Sequence, residues 1–116
     1  MRIVLLPVAA IALIAAPAFA HPKVVASTPA AWASVAAPRV ISLTFSEKLF
    51  ERMSGATLAK ADGASPLAAT AAVSADGKTM TVTPASPLAA GAYKVDWFGV
   101  GADTHRVTGT ISFMVR

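Results

Sequence analysis

Over much of the chain, apolar and polar positions alternate with a period of two. From Val40 to Phe45, the residues Ile41, Leu43 and Phe45 share one face and Val40, Ser42 and Thr44 the other, the pattern of a half-buried strand rich in β-branched side chains. Gly91 to Trp97 sets Tyr93, Val95 and Trp97 against Lys94 and Asp96. The last segment repeats the arrangement, with Val107, Gly109, Ile111, Phe113 and Val115 opposite Thr108, Thr110, Ser112 and Met114. Weaker strands are predicted at Lys23 to Thr28 and at Ser54 to Lys60. Asp76-Gly77, between Ala71-Ala72-Val73-Ser74 and Thr79-Met80-Thr81-Val82-Thr83, is the strongest hairpin signal. Asp62-Gly63 predicts a second turn, with a positive φ at the glycine. Pro84 and Pro87 are expected to end the strand before them, since neither donates to a ladder. Pro29 to Arg39 reads as an alanine-rich loop carrying Trp32, and Leu49 to Met53 as a connection, one turn of helix or a bulged crossover. No stretch after residue 20 carries the i, i+3, i+4, i+7 stripe of a surface helix. The predicted class is all-β: an antiparallel sandwich or small Greek-key barrel of about seven strands.

The first twenty residues follow a different pattern. One positive charge at Arg2 precedes an apolar run from Ile3 to Ala16, and Pro17-Ala18-Phe19-Ala20 closes it with small residues flanking a cleavage point. The run is shorter than the roughly 20 apolar residues that span a bilayer. Residues 1–20 are therefore read as a cleaved secretory signal peptide, and 21–116 as a single exported domain. The chain contains no cysteine, so this domain has no disulfide and offers no thiolate to a metal, and its core alone must hold it. Ten Lys and Arg against six Asp and Glu give a formal net charge of +4. The basic residues are scattered, without the clustering or interleaved aromatics of a nucleic-acid surface.

The cut after Ala20 makes His21 the first residue, presenting a free amine and an imidazole. These close a chelate ring and fill two of the equatorial positions that copper(II) prefers. Pro22 has no N–H to lose, so the chelate stops at the amine and the ring, and the remaining ligands must come from elsewhere in the fold. Asp103 and His105 supply candidates. In extended backbone they would point the same way, Cα atoms about 6.5–7 Å apart, across Thr104. A preceding Gly99-Val100-Gly101 is expected to turn the chain without strain. Such a pair, taken alone, is more often a solvated, hydrogen-bonded turn; His21, the only other histidine of the chain, strengthens the reading as a metal site. Imidazole, amine and carboxylate suit copper(II), whereas soft sulfur ligands for copper(I) are scattered at Met53, Met80 and Met114.

Several segments together resemble one family, the periplasmic copper-binding CopC proteins of bacteria. They are the histidine exposed by cleavage, Ser27-Thr28-Pro29-Ala30, Leu43-Thr44-Phe45-Ser46-Glu47, the run from Pro87 to Trp97, and Asp103-Thr104-His105 followed by Val107 to Phe113. The resemblance implies an Ig-like β-barrel and a copper(II) site at His21, Asp103 and His105, joined in some members by an acidic residue that here matches Glu47. It further implies a carrier in the periplasm, for copper homeostasis or resistance, that delivers copper to a membrane transporter of the CopD type. It implies no catalysis. Two departures stand out: His-Pro and Asp-Thr-His-Arg replace the His-Ala and Asp-Gly-His-Pro common in the family, placing Arg106 beside the site, and the methionine-rich loop of some members is missing. Tyr93, following Leu88 and Gly91, resembles the corner tyrosine of Ig-like sandwiches, and Trp97 is expected in the core. Two other readings compete: a copper-dependent oxidative enzyme built on an amino-terminal histidine, and a metal-free Ig-like interaction module.

Overall fold

The computed structural model describes Val4 and residues 21–116; the predicted signal peptide otherwise lies outside the described residues. The alternating segments form eight strands: β1 (Val24–Thr28), β2 (Ser34–Val35), β3 (Ile41–Phe45), β4 (Gly55–Lys60), β5 (Ala69–Val73), β6 (Thr79–Pro84), β7 (Gly91–Val100) and β8 (Arg106–Val115). They lie in two four-stranded sheets, ordered β1-β3-β6-β5 and β2-β8-β7-β4. Among the described residues, no helix is long and apolar enough to cross a membrane.

The fold class is as the alternation predicts. Sequence-adjacent β5–β6 and β7–β8 are antiparallel hairpins, and at each remaining step from one strand to the next the chain changes sheet. A backbone bond from Leu67 N–H to the Leu58 carbonyl (2.7 Å) ties the segment before β5 to the β4 edge. The extra strand is β2, two residues in the alanine-rich loop that pair in parallel with Met114 and Val115 of β8. A two-residue strand has no period to read. Leu49 to Met53 holds a single 3₁₀ turn, Glu51–Met53.

Inward positions of both sheets meet in one core. Ile41, Leu43 and Phe45 from β3 and Met80 and Val82 from β6 face Leu58, Tyr93, Val95, Trp97 and Phe113. Full burial of each such side chain contributes about 1.5–3 kcal/mol. Tyr93 and Phe113, opposite one another across β7 and β8, stack at 5.7 Å, and the Tyr93 hydroxyl donates to the Ala89 carbonyl at 2.6 Å, the predicted corner. Trp97 is buried, edge-on to Phe45 at 4.9 Å. Its indole lies over Gly109, where a Cβ would stand 2.6 Å from Cζ2. Close approach of a large ring therefore requires the glycine in β8.

Two local expectations are corrected. Gly77 does take a positive φ of 75° in the β5–β6 turn, but Gly63 does not; its N–H donates to the Lys60 carbonyl at 2.9 Å in an ordinary turn. Before β8, Gly99 belongs to β7, and the residue with the left-handed backbone is Thr104, at φ 64°. Asp103 and His105 thus do not flank an extended residue. Turn geometry, not strand alternation, sets their relation.

Candidate metal centre

The loop joining β7 to β8 carries Asp103 and His105 at one end of the molecule. The Gly101 carbonyl accepts the Thr104 N–H at 2.9 Å, which closes the turn, and the Asp103 Oδ1 accepts the His105 N–H at 3.2 Å. The second carboxylate oxygen, Oδ2, takes no part in these backbone bonds. A carboxylate so placed ties down the backbone with one oxygen and offers the other to a partner.

That partner comes from the start of the domain. Lys23 makes two bonds to Ser46, its carbonyl accepting the Ser46 N–H at 2.9 Å and its own N–H donating to Ser46 Oγ at 3.2 Å. They extend the β1–β3 pairing past the end of β3 and fix the chain one residue beyond Pro22. His21 then lies across Asp103, its Nδ1 at 2.5 Å from Oδ2. Nδ1 of His105 is 3.8 Å from the same oxygen, and the two imidazole rings sit 5.4 Å apart, tilted by 46°. The Asp103 side chain is only 10% exposed, against 60% for His21 and 73% for His105. A covered carboxylate stands between two imidazoles open to solvent.

One donor atom from each of His21, Asp103 and His105 lies within 4.8 Å of the others. Nitrogen and oxygen ligands at about 2.0–2.1 Å from a shared ion stand roughly 3 Å apart when adjacent and 4 Å apart when opposite. Closing the cluster on one ion therefore needs movements below about an ångström, within the freedom of two exposed rings. Glu47, the fourth candidate from the sequence, is exposed and is not a member of the cluster. Arg106 stands beside the site in sequence, and its guanidinium lies over the Phe98 ring, 4.4 Å from the centroid. Among the methionines, Met80 is wholly buried in the core, whereas Met53 and Met114 are exposed on separate elements. Ser46 is the contributor that sequence reading missed: it reads as a strand terminator, and nothing local signals that its hydroxyl holds the segment after His21.

Comparison with known proteins identifies the family. The model of the CopC domain matches residues 24–116. The chain belongs to the CopC family. It is 52% identical over 110 residues to copper resistance protein C of Pseudomonas syringae pv. tomato, a match covering 90% of this chain and 87% of the relative. Copper resistance protein C of Xanthomonas campestris pv. juglandis is 49% identical over 113 residues, covering 92% and 89%. The crystal structure of PcoC, described as a methionine-rich copper resistance protein from Escherichia coli, superposes with a TM-score of 0.75 at 44% identity, over 84% of this chain and all of that one. CopC from Methylosinus trichosporium OB3b gives 0.74 at 27% identity, covering 82% and 93%. These two solved structures thus share the overall fold described here.

Proposed function

We propose that this protein binds copper(II) in the periplasm and carries or sequesters it, with His21, Asp103 and His105 as ligands and the copper passed to a membrane transporter of the CopD type. The observation that carries the reading is the convergence within 4.8 Å of three nitrogen and oxygen donors, one from the start of the domain and two from the β7–β8 loop, in a family whose relatives are named for copper resistance. Removal of residues 1–20 would add the His21 amine, completing an equatorial set of amine, two imidazoles and a carboxylate, the hard-to-intermediate donors that copper(II) favours over zinc. With the equatorial positions filled by protein, no open one remains for oxygen, and the role is carriage without covalent chemistry. Copper here is cargo. Amine, imidazole and carboxylate must all be deprotonated to bind, so acid releases it.

Electron paramagnetic resonance of the processed protein titrated with copper(II) tests this assignment. A type of signal with nitrogen hyperfine structure from two imidazoles is expected, losing one imidazole in His21→Ala and in His105→Ala and weakening when residues before His21 are retained. A spectrum untouched by His105→Ala, or by retention of those residues, overturns the site. Glu47→Gln is expected to leave the spectrum unchanged, since Glu47 stands outside the cluster.

A further inference from the structure

We propose that Pro22 and Gly101 form the joint that holds His21 in register with Asp103 and His105, making Gly101 a positioning residue for copper(II) binding. The inference rests on the copper reading above and concerns how its amino-terminal ligand is kept in place.

His21 precedes β1, and its side chain is 60% exposed. Little of the fold surrounds it. Its immediate neighbour is different: Pro22 is buried, although His21 and Lys23 on either side are exposed. A buried residue between two exposed ones needs a receptacle, and Gly101, itself buried, provides it. A Cβ on Gly101 would stand 2.7 Å from Pro22 Cγ and 3.1 Å from Cδ, with the Lys48 carbonyl oxygen 3.6 Å away. The proline ring therefore occupies the space that any other residue at 101 would fill. Gly101 has no positive φ, so it is the space, and not the backbone, that demands glycine.

The same residue governs the other half of the site. Its carbonyl accepts the Thr104 N–H and closes the turn bearing Asp103 and His105. This contact, with the Lys23–Ser46 bonds behind it, thus positions the amino-terminal ligand relative to the loop ligands. Proline suits the task because its ring fixes φ near −65° and leaves almost no side-chain freedom to lose. A rigid joint holds the ligands near their bound geometry before the ion arrives, which lowers the ordering cost of binding.

Gly101→Ala tests the joint by pushing the Pro22 ring, and with it His21, away from the loop. In exported, processed protein, copper(II) affinity is expected to fall about 10- to 100-fold, the range for residues that orient ligands without touching the metal. Pulsed EPR is expected to lose the His21 imidazole nitrogen and keep that of His105. Added to His21→Ala, the substitution should cost almost nothing more, because there is then no ligand left to position. Wild-type affinity and spectrum in Gly101→Ala, or an equal loss with and without His21, overturns the proposal. Pro22→Gly removes the ring without adding bulk and is read in the metal-free protein by NMR relaxation. Nanosecond mobility of the His21 ring is expected to rise while the Asp103 and His105 amides stay unchanged; a His21 ring as ordered as before overturns the joint. Should the wild-type protein give no copper(II) signal from His21, the metal assignment falls, and the relaxation measurement alone decides the joint.

Discussion

At Thr104, a β-branched side chain sits on a left-handed backbone, with φ at 64°, a conformation that costs on the order of 1–3 kcal/mol outside glycine. The turn imposes it: Thr104 N–H must reach the Gly101 carbonyl while the His105 N–H reaches Asp103 Oδ1. Thr104→Gly should therefore stabilise the metal-free protein by about 1 kcal/mol, seen as a rise in thermal midpoint of roughly 4–8 °C for a domain of this size. Loss of the Thr104 hydroxyl bond to the Asp103 carbonyl offsets this only slightly, because that bond is exposed. A midpoint that falls in Thr104→Gly would show that the turn does not strain the threonine. The residues of the cluster are legible in the sequence at this scale, but the conformation that joins two of them is not. Extended geometry and a tight turn both bring Asp103 and His105 together, and only backbone hydrogen bonds made across the turn choose between them.

Among the elements, the β5–β6 hairpin is the most locally determined. Asp76 accepts from the Ser74 hydroxyl at 2.5 Å and from the Lys78 N–H at 3.0 Å, while Gly77 supplies the positive φ. These bonds, the Ser74 hydroxyl first, hold the Asp76 carboxyl below its ordinary value of 3.8. A depressed folded-state pKa means that the stabilisation is present above the unfolded value and is lost as pH falls through the folded one. Exchange of the Lys78 and Thr79 amides should accelerate as pH drops below about 4 relative to the intrinsic rate, and Asp76→Asn should flatten that dependence. An Asp76 carboxyl that titrates by NMR at or above the ordinary value would contradict it. At β7, the corner bond from Tyr93 to the Ala89 carbonyl gives a second expectation: Tyr93→Phe costs about 1 kcal/mol, measured by urea unfolding, with no change in copper affinity, since Tyr93 lies at the opposite end of β7 from the Asp103 loop. Alternation fixes the faces of β3, β7 and β8 because a half-buried strand has a period of two. It is silent on β2, which exists only because β8 offers a free edge.

Considered whole, the molecule is a core without staples. No cysteine is present, and the buried side chains of both sheets meet in a single cluster. Phe45→Ala removes a wholly packed ring that also meets Trp97 edge-on and is expected to cost about 3–5 kcal/mol, a large share of the roughly 5–15 kcal/mol available to a typical domain. Copper acts in the other direction. Binding only to the folded protein, it should add about 2.7 kcal/mol at a free concentration 100-fold above the Kd. Calorimetry of the processed protein should show the shift, a chelator should reverse it, and His21→Ala should remove most of it.

The sequence by itself determined the all-β class, the inward faces of the long strands, the Asp76-Gly77 turn and the donor types at His21, Asp103 and His105, because each depends on local period or on the chemistry of single side chains. Tertiary structure alone decided how closely His21 and Asp103, 82 positions apart, approach one another, that Glu47 stands outside the cluster, and that Ser46 bonds to Lys23 while the Pro22 ring packs on Gly101. Those outcomes depend on which strands become neighbours, and strand neighbours are chosen by packing of the whole core, which no local window of sequence contains.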